Sequence, residues 1–421
     1  MTPAIALLFL VASMQGVGRD ASPEEFARHC APGIDDTACW QAALSSLPAR
    51  RVVAAASGRK YRITKTLTVC NGYEGIVDGH GAALEWAGPP DAPMFLIVNT
   101  YHTTFTNFAI AVHAPRRLQS AFEFASAKND PPSIACSGMP RPASKNSIVH
   151  VAVEGDGLND IDYGVRFTNR YRYDANNDMT RIVDSNFVNI TNAVVSVETT
   201  QSHQIELIDV TGYGAPGNRG CFVHADSGFL SSIGGFQGMW GDAAFCVNGG
   251  YGPFSIINAN SEGSARLVRV GMRGDVANYP VSVNVSGGRF AVDTVAADGH
   301  VISFNRLGSL IVVGLRVDGG PPRGVEPTIS VQPGRVAGSS AGAAAVVEGM
   351  VYFINGSSQW HTVIAEPWID LTIHGNVCVT QEGLATACRG EVGRPTDGAL
   401  PGTRSQTEPS QGSSKHDAGV R

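Results

Sequence analysis

Lysine is missing from the greater part of this chain: none occurs between Lys145 and Lys415, so positive charge along the body is carried by Arg. Only 16% of the 421 residues are charged and the formal net charge is -6, which leaves no basic surplus for a phosphate backbone and excludes nucleic acid as a partner. Beyond Ala12 no run is long and apolar enough to span a bilayer, so no membrane anchor is expected. The cysteines form no Cys-x-x-Cys pair and no clustered Cys/His spacing, which argues against zinc. Asn-Gly, the strongest short hairpin signal, occurs only at Asn71-Gly72, Asn248-Gly249 and Asn355-Gly356, too few for an antiparallel sandwich.

What is present divides the chain into three. Ala4 to Ala12 is an apolar run of signal-peptide length, with small residues at Gly16 and Gly18, so residues 1–18 read as an export signal although no Lys or Arg precedes the run. The protein is expected to be secreted or periplasmic. Eight cysteines fit an oxidising compartment, and Cys30/Cys39 and Cys378/Cys388 are close enough to bridge short loops, while Cys70, Cys136, Cys221 and Cys246 are not assignable by spacing. Residues 390–421 are Gly, Pro, Ser, Thr and charge, a composition that cannot bury enough surface to order itself, and read as a disordered tail. The folded domain is expected over 19–389.

Within it, short β-branched and aromatic runs recur without helical spacing, among them Phe187-Val-Asn-Ile190, Ile205-Glu-Leu207-Ile-Asp-Val210 and Leu310-Ile-Val-Val-Gly-Leu315. From Phe187 onward the recurrence suits one coil of a solenoid per repeat, with apolar side chains inward and alternate residues outward along a flat face. The amphipathic segment beginning at Asp35-Asp36-Thr37-Ala38 (a helix expected over about 35–47) lies where an open solenoid end needs a cap.

These features resemble the pectate-lyase-like superfamily of right-handed parallel β-helices, whose amino-terminal module opens with an Asp-Asp-Thr-Ala helix. The strand Arg51-Val52-Val53, the turn Gly58-Arg59-Lys60-Tyr61-Arg62-Ile63 and Ile76-Val77-Asp78-Gly79-His80-Gly81 continue the likeness, with Ala56-Ser57-Gly58 in place of the usual Pro-Ala-Gly. The resemblance implies an all-β, right-handed parallel β-helix with an N-terminal capping helix, and an extracellular protein acting on a polysaccharide. It does not choose the reaction. Gly79-His80-Gly81 is not read as a hydrolase motif: Asp35-Asp36 belongs to the cap helix, and no Asn-Thr-Asp or Arg-x-Lys partner occurs.

Aligning coils by their apolar pairs Val165/Phe167, Val195/Val197, Val223/Ala225 and Val268/Val270 sets Arg166, Ser196, His224 and Arg269 outward on one stripe, with Glu198 and Asp226 next to it. Such a stripe suits β-elimination on an acidic polysaccharide: His224 as base, Arg269 or Arg166 neutralising the sugar carboxylate, and Asp226 orienting the imidazole or contributing to a Ca²⁺ site. No cofactor is required, and the identity of any metal is left open. Arg170, Tyr171, Arg172 and Tyr173, in a polar aromatic loop beside the Arg166 coil, are candidate substrate-binding residues. Two alternatives stand beside the lyase: a glycoside hydrolase using paired carboxylates drawn from Asp226, Asp242 and Glu262, and a non-catalytic glycan-binding or surface solenoid.

Overall fold

The computed structural model describes residues 20–387 apart from 48–50, 55–56, 71, 126–135, 137–142, 169–176, 200–201, 250–251, 273–279, 292–299, 319–327, 334–342, 355–362, 366–368 and 381–384. The expected export signal and tail, the loop residues Arg170 to Tyr173 and Cys388 all lie outside the described residues. The chain is a parallel β-solenoid, as the apolar rhythm required. Its strands fall into three parallel ladders, each coil contributing one strand to each.

Ladder one includes Arg181–Val183, Ile205–Ile208, Leu230–Ile233, Pro253–Ile257, Val281–Ser286 and Gly308–Val313, each paired to the next in parallel. Ladder two includes Thr211–Gly214, Phe236–Gly238, Asn260–Glu262 and Arg289–Ala291. Ladder three includes Cys221–Ala225, Ala243–Val247, Val268–Val270 and His300–Phe304. Long strands such as Ile76–Trp86 and Asn186–Val197 bend round a corner and serve two ladders. The described strands close with the antiparallel pair Val377–Thr380 and Ala385–Ala387.

Parallel coils one strand-spacing apart stack like residues on like, so the interior is a continuous apolar column. Phe95 stacks on Phe122 at 5.3 Å between ring centroids and Phe124 on Phe167 at 5.1 Å, while Phe222 meets Phe245 edge-on at 5.8 Å. Each such buried side chain stabilises the fold by about 1.5–3 kcal/mol relative to its exposure.

The cap explains why Asp-Asp-Thr-Ala stands where it does. Helix α1 (Thr37–Leu44) is shorter than the expected span and is preceded by a 3-10 helix, Pro23–His29, which the sequence pattern did not reveal. Its side chains act as a surrogate strand over the first coil's open edge. Asp36 accepts a hydrogen bond from the Arg62 backbone N–H (2.9 Å) and Thr37 from that of Thr64 (2.8 Å). Gln41 both accepts from Thr68 N–H (2.8 Å) and donates to Thr68 carbonyl (2.9 Å), so backbone groups that would template aggregation are satisfied. The helix N-terminus itself is served by Asp35, whose carboxylate accepts from Thr37 N–H at 3.0 Å. The Cys30–Cys39 disulfide ties the cap together, and Trp40 packs its edge on Tyr61 at 5.3 Å.

Candidate functional site

The outward row of ladder three is set by strand register. Glu123 pairs with Arg166, Arg166 with Ser196, Ser196 with His224, His224 with Cys246, Cys246 with Arg269, and Arg269 with Ser303. Arg166, His224 and Arg269 therefore share one row, but not on adjacent coils. Ser196 separates the first two, and the Phe245/Val247 coil, carrying Cys246, separates the last two.

The row divides into two hydrogen-bonded groups. In the first, Arg166 forks onto Glu198, Nε to Oε1 at 2.6 Å and Nη2 to Oε2 at 3.1 Å, with its guanidinium 4.9 Å from the Tyr163 ring centroid. Burial alone would lower the proton affinity of Arg166, but the Glu198 hydrogen bonds and charge outweigh it and raise it. Beside it, Arg117 donates from Nη2 to both oxygens of Asp162 at 2.9 Å. Burial of Asp162 outweighs that partner and raises its pKa. Glu123, fully buried, accepts from the Ser120 hydroxyl at 3.2 Å.

The second group runs across three coils. His224 Nε2 lies 3.1 Å from Asp226 Oδ1, and Asn248 Nδ2 lies 2.8 Å from both His224 Nε2 and Asp226 Oδ1. Arg269 donates Nη1 to Asn248 Oδ1 (2.9 Å) and Nε to Asp242 Oδ2 (2.8 Å). The inner Arg269 is mostly buried and the outer pair is open: the Arg269 side chain is 11% exposed, against 34% for His224 and 50% for Asp226. The hydrogen bond from His224, with help from Asn248, overcomes partial burial and lowers the Asp226 pKa below its ordinary 3.8. Asp226 is thus held ionised beside an imidazole, an arrangement fit for proton transfer.

The structure also separates residues that the sequence had grouped. Arg269 and Arg166 are not open cations: each is closed on a protein carboxylate. Glu262 lies on ladder two, where it faces Arg289 at 3.7 Å, and so cannot pair with Asp226. Among the described residues, the His, Cys, Asp and Glu groups that converge closely are Cys221, Asp242 and Cys246. The two sulfurs form a disulfide, which leaves one carboxylate and no fit to a Ca²⁺ or zinc site. A further disulfide, Cys70–Cys136, pins a small apolar cluster of Leu96, Val98 and Ala125 on the outside of the earlier ladder-three strands.

Asn248 and Arg266 were missed. Asn248 occupies the coil position of Asp226 on the next coil: the Asp226 N–H donates to Val197 carbonyl (2.9 Å) and the Asn248 N–H to Ala225 carbonyl (2.7 Å). Counting Phe245/Val247 among the apolar pairs would have found it. Arg266 stands 4.0 Å from Asp242 and donates to the Ser303 hydroxyl at 3.3 Å.

No protein-family model matches the chain, and no curated protein sequence does. Solved structures resemble it in fold. The tailspike protein of E. coli bacteriophage HK620, solved in complex with a pentasaccharide, superposes with a TM-score of 0.51 at 11% identity, covering 85% of this chain. A double mutant of the same tailspike, also with pentasaccharide, gives 0.50 at 12% identity over the same share. The chain spans 66% of the length of that tailspike. ORF18 of Geobacillus virus E2 aligns over 90% of this chain and 64% of its own, with a TM-score of 0.41 at 12% identity. At such identities the likeness establishes a parallel β-helix and nothing finer.

Proposed function

We infer that the protein binds a polysaccharide along the outward row of ladder three and cleaves it at the His224–Asp226 pair. The observation that carries this reading is the cross-coil network from His224 to Arg269, buried at Arg269 and open to solvent at its outer pair. A flat row on a rigid solenoid suits an extended polymer better than a small molecule. The HK620 tailspike, whose fold this chain shares, is itself a pentasaccharide binder.

Between the two cleavage chemistries, the electrostatics favour hydrolysis. Elimination needs a cation free to neutralise the enolate that forms beside the sugar carboxylate, and Arg166 and Arg269 are committed to Glu198 and Asp242. Hydrolysis needs a carboxylate held ionised and a proton donor, which Asp226 and its imidazole neighbour supply. Glu198, at the same position one coil earlier, is closed on Arg166.

The elimination reading keeps one specific support, the exposure of His224 as a base. Incubation of the protein with neutral and uronic-acid polysaccharides separates the two. Hydrolysis gives new reducing ends without ultraviolet absorbance, whereas elimination gives an absorbing unsaturated end. Tight binding with neither product would make the protein a glycan-binding solenoid.

A further inference from the structure

Two corners of the solenoid demand left-handed backbone, and the chain meets the demand in opposite ways. At the corner between ladders one and two, successive coils use Asn107, Asp184, Asp209, Gly234, Asn258, Gly287, Gly314, Gly349 and Gly375, with His80 and His150 as exceptions. Those are the residue types that tolerate the conformation. At the corner leading into ladder one, five successive coils instead use Glu74 (φ 52°), His102 (54°), Lys145 (57°), Met179 (58°) and Gln204 (56°). Long side chains are costly there, and glycine would serve the turn better. They are in register: His102 N–H donates to Ser144 carbonyl (3.2 Å), Lys145 N–H to Asp178 carbonyl (2.8 Å) and Met179 N–H to His203 carbonyl (2.8 Å).

His102, Lys145, Met179 and Gln204 line one groove of about 440 Å³, with Arg181 and Glu206 from ladder one on its floor. Arg181 is balanced by Glu206 at 2.7 Å. The Lys145 ammonium has no carboxylate partner among the described residues; its neighbour is the Tyr101 ring, 5.2 Å away. Tyr101 in turn stacks with His102 at 4.5 Å and with Tyr73 at 5.7 Å, and Tyr73 is 44% exposed. On the next coil Phe229 stands opposite Gln204 and the left-handed residue moves one place earlier, to Gly228, where a Cβ would meet the Ser202 carbonyl oxygen at 2.3 Å, so the row of left-handed long side chains ends where the groove ends.

We propose that this groove is a second saccharide site, on a different face from His224, that binds a uronate-containing oligosaccharide. Lys145 takes the sugar carboxylate, the His102 and Gln204 side chains take hydroxyls, and Tyr73, on the coil before the groove, offers a ring face to a further sugar. This rests on the reading of the protein as one that handles polysaccharide, and it locates recognition of acidic sugars here. The His224 face balances its arginines internally.

The test is calorimetric titration of the full chain with tetragalacturonate and, separately, with neutral cellotetraose. The expected result is that Lys145→Gln weakens tetragalacturonate binding at least tenfold, that Lys145→Arg restores most of it, and that Asp226→Asn leaves a Lys145-dependent binding event intact. Lys145 is exposed, so thermal unfolding of Lys145→Gln should match the parent and separate lost binding from lost folding. Unchanged tetragalacturonate binding in Lys145→Gln overturns the proposal, as does absence of any binding by the parent or equal loss of both oligosaccharides. The cleavage assay at His224 and Asp226 reads independently of all three.

Discussion

The outward faces of ladders one and three rest on the same backbone and the same apolar column, yet carry different chemistry. On ladder one the outward row beside the ladder-two corner is aliphatic over four coils, Val183, Ile208, Ile233 and Ile257 in register. On ladder three the corresponding surface holds Arg166, Ser196, His224 and Arg269, cross-linked between coils by charge-assisted hydrogen bonds. Parallel stacking tolerates either, because the inward residues supply the folding energy. Ladder three links its titratable groups across three coils into one network that ends in a solvent-open pair, and that is why the chemistry is assigned to it.

Substitutions on the two faces should therefore separate stability from activity. The largest effect belongs to the shared interior: Phe245→Ala, at a side chain 1% exposed, should cost about 3–5 kcal/mol of unfolding free energy in a denaturant titration. Next is the Cys221–Cys246 disulfide on the outside of ladder three, which closes a loop of sequence separation 25. Replacing both cysteines by Ser should lower stability by about 2–4 kcal/mol, read as a drop in Tm measured without reductant.

Asp226→Asn should lower turnover about a hundredfold while leaving Tm nearly unchanged. A pH series sharpens this. Because the folded-state pKa of Asp226 lies below its ordinary 3.8, the group contributes stability that is present above its unfolded pKa and lost as pH falls through the depressed folded value. The parent should lose stability in that acid window, and Asp226→Asn should lose less. Smallest of all, Ile233→Ser on ladder one should change stability by no more than about 0.5 kcal/mol and leave turnover alone. Loss of turnover in that variant, with retention in Asp226→Asn, would reverse the comparison.

The inward half of the solenoid was legible because burial imposes the same period-two pattern on every coil. Val165/Phe167, Val195/Val197, Val223/Ala225 and Val268/Val270 stand in the register their alternation implied. Phe245/Val247 was lost because the outward residue between them, Cys246, is itself apolar, so the triplet reads as an unbroken run rather than an alternation. Asn248 was lost with it. The carboxylate partners of the arginines were illegible for another reason: Arg166 and Glu198 are 32 residues apart and Arg269 and Asp242 are 27, and no local pattern reports on contacts between coils. At the cap, Asp35-Asp36-Thr37-Ala38 marked the helix, but the bonding of Gln41 to the first strand of ladder three depends on how the helix lies across that edge.

The most direct test of the account is the release of new chain ends from a panel of neutral and uronic-acid polysaccharides by the parent, Asp226→Asn and Ile233→Ser proteins side by side. New ends are expected from the parent and Ile233→Ser on the same polymer, with a loss of about a hundredfold in Asp226→Asn whose fold is intact. Full activity in Asp226→Asn, or no new ends from any polymer with the parent, would contradict it.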